Sequence, residues 1–289
     1  MQLHFIGVGK MGLPMALHLR ASGASITVSD NDPVRRSLAQ DQGLTVAADT
    51  AQALQQAGGV FSSLPHDAAL LAVAGEVATH AKPGTFWVDT STVSLSASAQ
   101  AAKTCADAGI GHVRTTVSGN NKMAEAAQLT VLASGPRTTY DQVLPLLQRW
   151  GPNQFYLGDA EQARLMKLVI NLMIAQTSAM LGEALTLGRK GGLDWHDMWR
   201  VMGASAVASP IVKAKSAQLS ERDFSATFTV NQMVKDLDLI LGAASEHQVP
   251  LPQTAMTRQL MDAARAHGDA DADYAAIIKA VERSAGLPT

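Results

Sequence analysis

The sequence has little of several features that define other classes of protein. It contains one cysteine, Cys105, so it cannot form an intramolecular disulfide, which is typical of proteins of the reducing cytoplasm. We expect this cysteine to be a packed thiol rather than a nucleophile. Charged residues make up 17% of the chain and the formal net charge is −2, which argues against a nucleic-acid-binding face.

Long apolar runs and metal-ligand spacings are also missing. No uninterrupted apolar stretch has the length of a membrane span, and the chain begins in a strand pattern rather than a signal peptide. The eight histidines show no ligand spacing such as HxxxH, so we expect no metal site. These absences predict a cytoplasmic protein without a membrane or nucleic-acid partner.

A glycine-rich turn follows the first apolar run, residues 3–6. It contains Gly7, Gly9 and Gly12 in the arrangement GxGxxG, directly before a helical pattern. The first glycine permits a tight turn, the second lets the backbone approach a pyrophosphate, and the third lets helix and strand pack closely. The pattern therefore predicts a dinucleotide site, with a purely structural turn as the alternative.

An acidic residue lies at the distance from this turn that a dinucleotide site requires. The apolar run at residues 25–29 ends at Asp30, where a carboxylate can accept hydrogen bonds from the adenosine ribose. A carboxylate repels a 2′-phosphate, so we favour NAD over NADP. Arg35 and Arg36 follow closely and soften that preference.

The pattern of apolar residues changes near residue 159. Before it, strand-like runs alternate with helical patterns, at residues 60–65, 85–89, 111–114 and 129–133. After it, residues 160–190 are apolar on nearly every helical face, which predicts a buried helix. Further helices are predicted at 195–202, 210–219, 230–247 and 253–267. We expect an α/β Rossmann-type doubly wound sheet in residues 1–159, and an all-α domain in 160–289 joined to it by this long central helix.

Two short segments lie just past the ends of predicted strands, where open α/β sheets bind their ligands. Leu64 and Pro65 form the first, and Ser91 and Thr92 the second. Residues 89–92 are equally well explained as a helix N-cap, and the two roles are compatible.

Ser118 and Gly119 lie between two further strands and present a hydroxyl beside backbone N–H groups. This pair can hold a carboxylate, with a plain turn as the alternative.

A lysine in the central helix is the candidate for proton transfer. Lys167 and Asn171 are four residues apart and therefore share one helix face. A lysine among apolar residues is costly unless it is paired or functional, and desolvation lowers a lysine pKa toward the range useful for acid–base work. The alternative is a lysine whose amine reaches the surface. Lys235 and Asp236 form a second candidate, which in isolation reads as a solvated helix pair.

Together these motifs resemble the β-hydroxyacid dehydrogenase family, which includes 3-hydroxyisobutyrate dehydrogenase, tartronate semialdehyde reductase and relatives of 6-phosphogluconate dehydrogenase. The family signature GxGxMGxPMAxxL matches residues 7–19, and its ST and SG segments match Ser91–Thr92 and Ser118–Gly119. Its active-site lysine and asparagine match Lys167 and Asn171, and its KD pair matches residues 235–236.

The resemblance implies a nicotinamide-dependent oxidoreductase acting on a small β-hydroxyacid or its semialdehyde. It implies that Lys167 transfers the proton, that Asn171 orients substrate or lysine, and that Ser118, Gly119 and Asn120 bind the substrate, between the sheet and the central helix. Cofactor contacts are assigned to the following residues: Gly7, Gly9, Lys10, Met11, Gly12, Asp30, Asn31, Leu64, Pro65, Thr92 and Lys235. It also implies a homo-dimer or homo-tetramer, for which Met233 and Leu237 are candidate interface positions.

The substrate loop departs from the family pattern APVSGG. The chain has Asn120 in place of the second glycine, with Lys122 nearby, which suggests a substrate with an additional polar or anionic group. Two other functions remain open. An imine reductase shares this architecture but typically has an aspartate or tyrosine in place of Lys167, and a non-catalytic NAD(P)-binding regulator would bind the cofactor without turnover.

Overall fold

A single eight-stranded sheet occupies the first half of the chain in the computed structural model, which describes residues 1–289. The strands are β1 (Gln2–Ile6), β2 (Ser25–Ser29), β3 (Thr45–Val46), β4 (Gly59–Ser62), β5 (Phe86–Asp89), β6 (Gly111–Ser118), β7 (Thr130–Ser134) and β8 (Asn153–Tyr156). Their spatial order is β3-β2-β1-β4-β5-β6-β7-β8. All neighbours are parallel except β6 and β7. The first six strands have the doubly wound dinucleotide-binding order.

Helices separate these strands and make up the second half. Those of the first half are α1 (Gly12–Ala21), α2 (Pro33–Asp41), α3 (Thr50–Gln56), α4 (Asp67–His80), α5 (Leu95–Asp107), α6 (Asn121–Glu125) and α7 (Arg137–Leu147). Those of the second half are α8 (Gln162–Lys190), α9 (Trp195–Ala204), α10 (Pro210–Ser220), α11 (Val230–Glu246), α12 (Pro252–Ala266) and α13 (Ile277–Ser284), with a 3-10 turn at Tyr274–Ala276. The predicted fold class is confirmed.

The sheet has an apolar core on each of its two faces. In β4, Val60 packs into one core and the next residue, Phe61, into the other. In β5, Trp87 likewise packs into the same core as Val60, and Val88 into the same core as Phe61. Because successive strand side chains point to opposite faces, a strand covered by helices on both sides reads as a continuous apolar run. This is why the inner strands were recognisable from sequence.

The two outermost strands, β3 and β8, were not predicted. β3 has two residues, and β8 has no fully buried residue. An edge strand is half solvated and carries no long apolar run, so its sequence resembles that of a loop.

Helix α8 differs from the prediction in its burial. Its start and end lie within two residues of the predicted bounds, but it is not buried on all sides: Met173 is 65% exposed and Leu187 is 75% exposed. By length and composition alone this helix is apolar enough to cross a membrane, a property that the core helices of soluble proteins share.

The chain folds as two units, Met1–Lys167 and Leu168–Thr289. The boundary lies inside α8, whereas the sequence placed it at the start of the predicted helix. The first unit contains the whole sheet, and the second contains helices.

The helical unit has its own buried core, and this corrects one expectation from sequence. Met233 and Leu237 of α11 are 1% and 0% exposed within the single chain, so they are not available to a second subunit. The apolar side chains left exposed include Met173, Met180 and Leu187 of α8. Homo-oligomerisation stays a prediction, to be decided by light scattering against the chain mass of 30.4 kDa.

Candidate functional site

The glycine turn joins the carboxyl end of β1 to α1, and its three glycines have different surroundings. Gly7 has a φ of +88°, and a Cβ there would lie 2.4 Å from the carbonyl oxygen of Ser63. A Cβ on Gly12 would lie 1.9 Å from the carbonyl oxygen of Gly7. A Cβ on Gly9 would meet nothing within 4 Å. Packing of the chain therefore requires two of the glycines but not Gly9, whose open space is available to a ligand.

The N-terminus of α1 faces this turn without a capping side chain. Met11 is the N-cap residue and makes no side-chain cap hydrogen bond. Helix N-termini carry partial positive charge and unsatisfied N–H groups, which suit a phosphate. Met11 is half-buried and Lys10 is exposed.

Asp30 lies beside the glycine turn, because β2 is the neighbour of β1. Its Oδ2 accepts the N–H of Val8 at 2.8 Å and its Oδ1 accepts the N–H of Asp32 at 2.9 Å. Arg36 donates to the backbone carbonyl of Asp30 at 2.7 Å and to that of Asn31 at 3.1 Å. The Asp30 carboxylate is thus held in place at the carboxyl edge of the sheet, and the Arg36 guanidinium lies beside the backbone of Asp30.

The loops after β4 and β5 are joined by Ser91. Its Oγ accepts the N–H of Leu64 at 2.8 Å and donates to Asp89 at 2.7 Å. Ser91 is buried, Leu64 and Thr92 are partly exposed, and Pro65 is exposed. Ser91 therefore connects the two loops, and Leu64, Pro65 and Thr92 are the members that a ligand can reach.

The interpretation of residues 89–92 as a helix cap is wrong. The N-cap of α5 is Ser94, whose hydroxyl accepts the N–H of Ala97 at 3.1 Å. Asp89 is instead fully buried and forms an ion pair with Arg164 of α8. Sequence reasoning missed Arg164. The available signal was a second charged residue three positions before Lys167 in an apolar helix.

Burial holds two titratable side chains of the sheet unit, Cys105 and His112, in their neutral forms. Burial raises the pKa of the Cys105 thiol to about 12, the nearby Arg114 opposing this in part. Burial also lowers the pKa of His112 well below its usual value, and the charges of Arg114 and Arg164 act in the same direction. The thiol is fully buried, as expected for a packed side chain.

The substrate loop begins at the end of β6. Ser118 is the last residue of that strand, and Gly119 has a φ of +139°, a conformation that favours glycine. Asn120 is the N-cap of α6, and its Oδ1 accepts the N–H of Met123 at 3.0 Å. Lys122 is exposed. The Asn120 side chain therefore caps a helix, and Lys122, in the first turn of that helix, is an exposed cation close in sequence to the loop.

Lys167 and Asn171 lie on α8 with the predicted spacing, but Lys167 is less buried than expected. Lys167 is half-buried rather than enclosed, and the adjacent Met166 is 39% exposed. Asn171 is buried, and its Nδ2 donates to Oδ2 of Asp236 at 2.6 Å. This hydrogen bond sets the orientation of the Asn171 amide.

Asp236 connects Asn171 to Lys235 within the helical unit. It is 2% exposed, and its Oδ1 lies 2.9 Å from Nζ of Lys235. The interpretation of residues 235 and 236 as a solvated pair is therefore wrong for the aspartate. A buried carboxylate paired with both a lysine and an amide is a structural centre, and Asp236 is a second residue whose role the sequence did not reveal.

Comparison with protein families assigns both halves of the chain. Residues 2–158 match the NAD binding domain of 6-phosphogluconate dehydrogenase. Residues 162–281 match a domain described as the NAD-binding domain of NADP-dependent 3-hydroxyisobutyrate dehydrogenase. The matched ranges meet near the start of α8.

Individual relatives agree with these families over nearly the full length. The chain is 33% identical to 2-(hydroxymethyl)glutarate dehydrogenase of Eubacterium barkeri, covering 99% of this chain and 96% of that protein. It is 27% identical to glyoxylate/succinic semialdehyde reductase 1 of Arabidopsis thaliana, covering 98% and 99%. The structure of 3-hydroxyisobutyrate dehydrogenase from Mycobacterium tuberculosis with L-serine superposes with a TM-score of 0.89 at 25% identity, covering 96% and 98%.

The different surroundings of Gly9 and Gly12 predict different effects of an added methyl group, on cofactor binding at Gly9 and on stability at Gly12. Gly9→Ala should leave the urea midpoint unchanged, because its Cβ meets nothing within 4 Å, yet weaken NADH binding. We expect the Kd from fluorescence titration to rise at least about tenfold, or about 1.4 kcal/mol. Gly12→Ala is the matched control and should lower the urea midpoint. An unchanged Kd for Gly9→Ala would show that no phosphate lies against this residue.

Proposed function

Since this chain belongs to the β-hydroxyacid dehydrogenase family, and so transfers a hydride between a nicotinamide cofactor and a small β-hydroxyacid or its semialdehyde, we propose that Lys167 moves the accompanying proton. It acts as base when the hydroxyl is oxidised and as acid when the carbonyl is reduced. The observation that carries this proposal is the position of Lys167: half-buried in the apolar helix α8, four residues before an asparagine whose amide is held by a buried carboxylate.

The other residues bind and orient. Asn171 gives one amide N–H to Asp236, which leaves its second N–H and its carbonyl oxygen to orient the substrate or the Lys167 amine. The Ser118 hydroxyl and the backbone N–H of Gly119 hold the substrate carboxylate. Lys235, in its ion pair with Asp236, contacts the cofactor.

The residues of the sheet unit fit a dinucleotide. The open space at Gly9 and the uncapped N-terminus of α1 suit its pyrophosphate, with Lys10 and Met11 alongside. Asp30 and Asn31 suit the adenosine ribose, and the exposed Pro65 with the partly exposed Leu64 and Thr92 suits the nicotinamide half. When bound, the nicotinamide ring supplies the site that gives or takes the hydride.

Replacement of Lys167 tests the proton-transfer role. Lys167→Ala should lower kcat by about 10²–10⁴-fold, the usual contribution of a general acid or base, while the Kd for NADH stays unchanged. Lys190→Ala is the matched control, because Lys190 is an exposed lysine of the same helix. Retention of more than about a tenth of the activity by Lys167→Ala would exclude the role.

We further propose that the physiological cofactor is NAD. The support is the Asp30 carboxylate, which two backbone N–H groups hold beside the glycine turn, where it attracts a ribose hydroxyl and repels a phosphate. The description of the second matched family as NADP-dependent favours the other cofactor. Arg36, close to the backbone of Asp30, is the residue that would receive a 2′-phosphate.

The cofactor preference is measured by comparing kcat/KM for NADH and NADPH. We expect NADH to be favoured by at least about tenfold, or about 1.4 kcal/mol, and Asp30→Ser to reverse or abolish the preference. Asp32→Ser is the matched control, because Asp32 is an exposed acid that caps α2 through Val34. A strong preference of the unmodified enzyme for NADPH would contradict the argument.

For the substrate we propose a β-hydroxyacid that carries a second anionic group. The support is Lys122, an exposed cation four residues after Ser118, in the first turn of α6, the helix that Asn120 caps. The relative from Eubacterium barkeri is named for 2-(hydroxymethyl)glutarate, which has two carboxylates.

A substrate panel tests this proposal. We expect kcat/KM to be higher for 2-(hydroxymethyl)glutarate than for 3-hydroxyisobutyrate, which lacks the second carboxylate. Lys122→Ala should reduce the value for the dicarboxylate by about fivefold, or about 1 kcal/mol for an exposed ion pair. 3-Hydroxyisobutyrate is the internal control, since Lys122→Ala should leave kcat/KM for this substrate unchanged. A clear preference for 3-hydroxyisobutyrate over every more polar acid would refute the proposal.

A further inference from the structure

A guanidinium and a carboxylate are enclosed together in the sheet unit. Arg164, in the first turn of α8, is 1% exposed, and Asp89, the last residue of β5, is 0% exposed. Nη2 of Arg164 donates to Oδ2 of Asp89. A buried charge without a partner is strongly unfavourable, so each group requires the other at this position.

Besides a hydrogen bond from Nε of Arg164 to Ser98 of α5, this pair makes hydrogen bonds that reach both loops at the carboxyl edge of the sheet. Nη1 of Arg164 donates to the carbonyl oxygen of Ser91. Oδ1 of Asp89 accepts from the hydroxyls of Ser62 at 2.5 Å and Ser91 at 2.7 Å. The Ser91 hydroxyl in turn accepts the N–H of Leu64 at 2.8 Å. One ion pair thus connects the loop after β4 with the loop after β5.

Arg164 also connects these loops to the candidate proton donor. It precedes Lys167 by three residues on the same helix, which is slightly less than one turn. The side chain that binds the Ser91 carbonyl therefore belongs to the helical turn that carries the Lys167 amine. The mechanism described above does not otherwise use Arg164.

We propose that Arg164 is a positioning residue that holds the Lys167 turn at a fixed place relative to the two loops assigned to the cofactor. The proposal rests on the role of Lys167 in proton transfer. The hydrogen bond from Arg164 to the Ser91 carbonyl is the essential contact, because it joins the backbone of the loop after β5 to α8. A displacement of about 1 Å between reacting groups can reduce a rate by about 10²-fold, so loss of this contact should lower kcat.

The test removes the positioning contact without leaving a buried charge. Arg164→Met alone leaves the buried Asp89 carboxylate without its partner and should lower the urea midpoint strongly. The double variant Asp89→Asn/Arg164→Met removes both charges, keeps polar partners for Ser62 and Ser91, and should recover most of the urea midpoint. We expect its kcat to stay about 10²-fold below that of the unmodified enzyme. Its Kd for NADH, measured by fluorescence, should change by no more than about threefold.

A second ion pair provides the matched control. Arg114 of β6 lies 2.7 Å from Glu161, the residue before α8, and the two side chains are 10% and 16% exposed. This pair also joins the sheet to the start of α8, but it contacts neither loop. Arg114→Met/Glu161→Gln should keep kcat within about threefold of the unmodified enzyme, even if its urea midpoint falls.

A conservative variant keeps the proposal testable if the double variant does not fold. Arg164→Lys retains the charge opposite Asp89 but cannot reach Asp89, Ser91 and Ser98 together, as the guanidinium does. We expect a folded protein with kcat reduced at least about tenfold and NADH affinity retained.

The outcomes separate this inference from the proposed role of Lys167. Recovery of kcat together with the urea midpoint in the double variant, or normal kcat in Arg164→Lys, would show that the pair is purely structural and overturn the inference. Loss of NADH binding in proportion to kcat would overturn it as well. If Lys167→Ala itself keeps its activity, the proton-transfer role fails instead, whatever the Arg164 variants do.

Discussion

Burial of Asp89 together with Arg164 is the constraint on which the carboxyl edge of the sheet depends. Both charges are removed from water, so strand β5 and helix α8, which carry them, must meet with little freedom. The serine hydroxyls of Ser62 and Ser91 satisfy the remaining carboxylate lone pairs. The same edge holds every residue of the sheet unit that we assign to the cofactor.

The glycine turn illustrates how packing and binding divide a short motif. Gly7 and Gly12 are required because backbone carbonyl oxygens occupy the space where a Cβ would lie. Gly9 has open space in front of it, and no contact within the chain explains its lack of a side chain. Packing thus accounts for two glycines of the motif, and the third is the one that we assign to the ligand.

In the helical unit a second buried carboxylate has a comparable role. Asp236 pairs with Lys235 and holds the amide of Asn171, so one acid orients two of the residues that the family resemblance assigns to the site. Burial makes this arrangement specific, because an acid that is 2% exposed depends on its protein partners for hydrogen bonds. The two units thus use the same device, a buried acid that orients its polar neighbours.

Much of the architecture was readable from residues alone. The alternation of apolar strands and helices, the GxGxxG turn, the acid after β2 and the long helix α8 depend on spacing along the chain, which the sequence states directly. The edge strands β3 and β8 were not readable, because half-solvated strands lack an apolar signature. The sequence also predicted that α8 is enclosed on all sides, whereas Met173 and Leu187 are exposed.

By itself, then, the sequence determined the order of the elements and the identity of the family, because periodicity and motif spacing are local properties. Only the tertiary structure decided which polar residues are partners: Arg164 with Asp89, Asn171 with Asp236, and Ser91 with the loop at Leu64. These residues are separated by 27 to 75 positions in the chain. Whether a charge is buried, and what neutralises it, depends on contacts between such distant segments, and no local pattern encodes them.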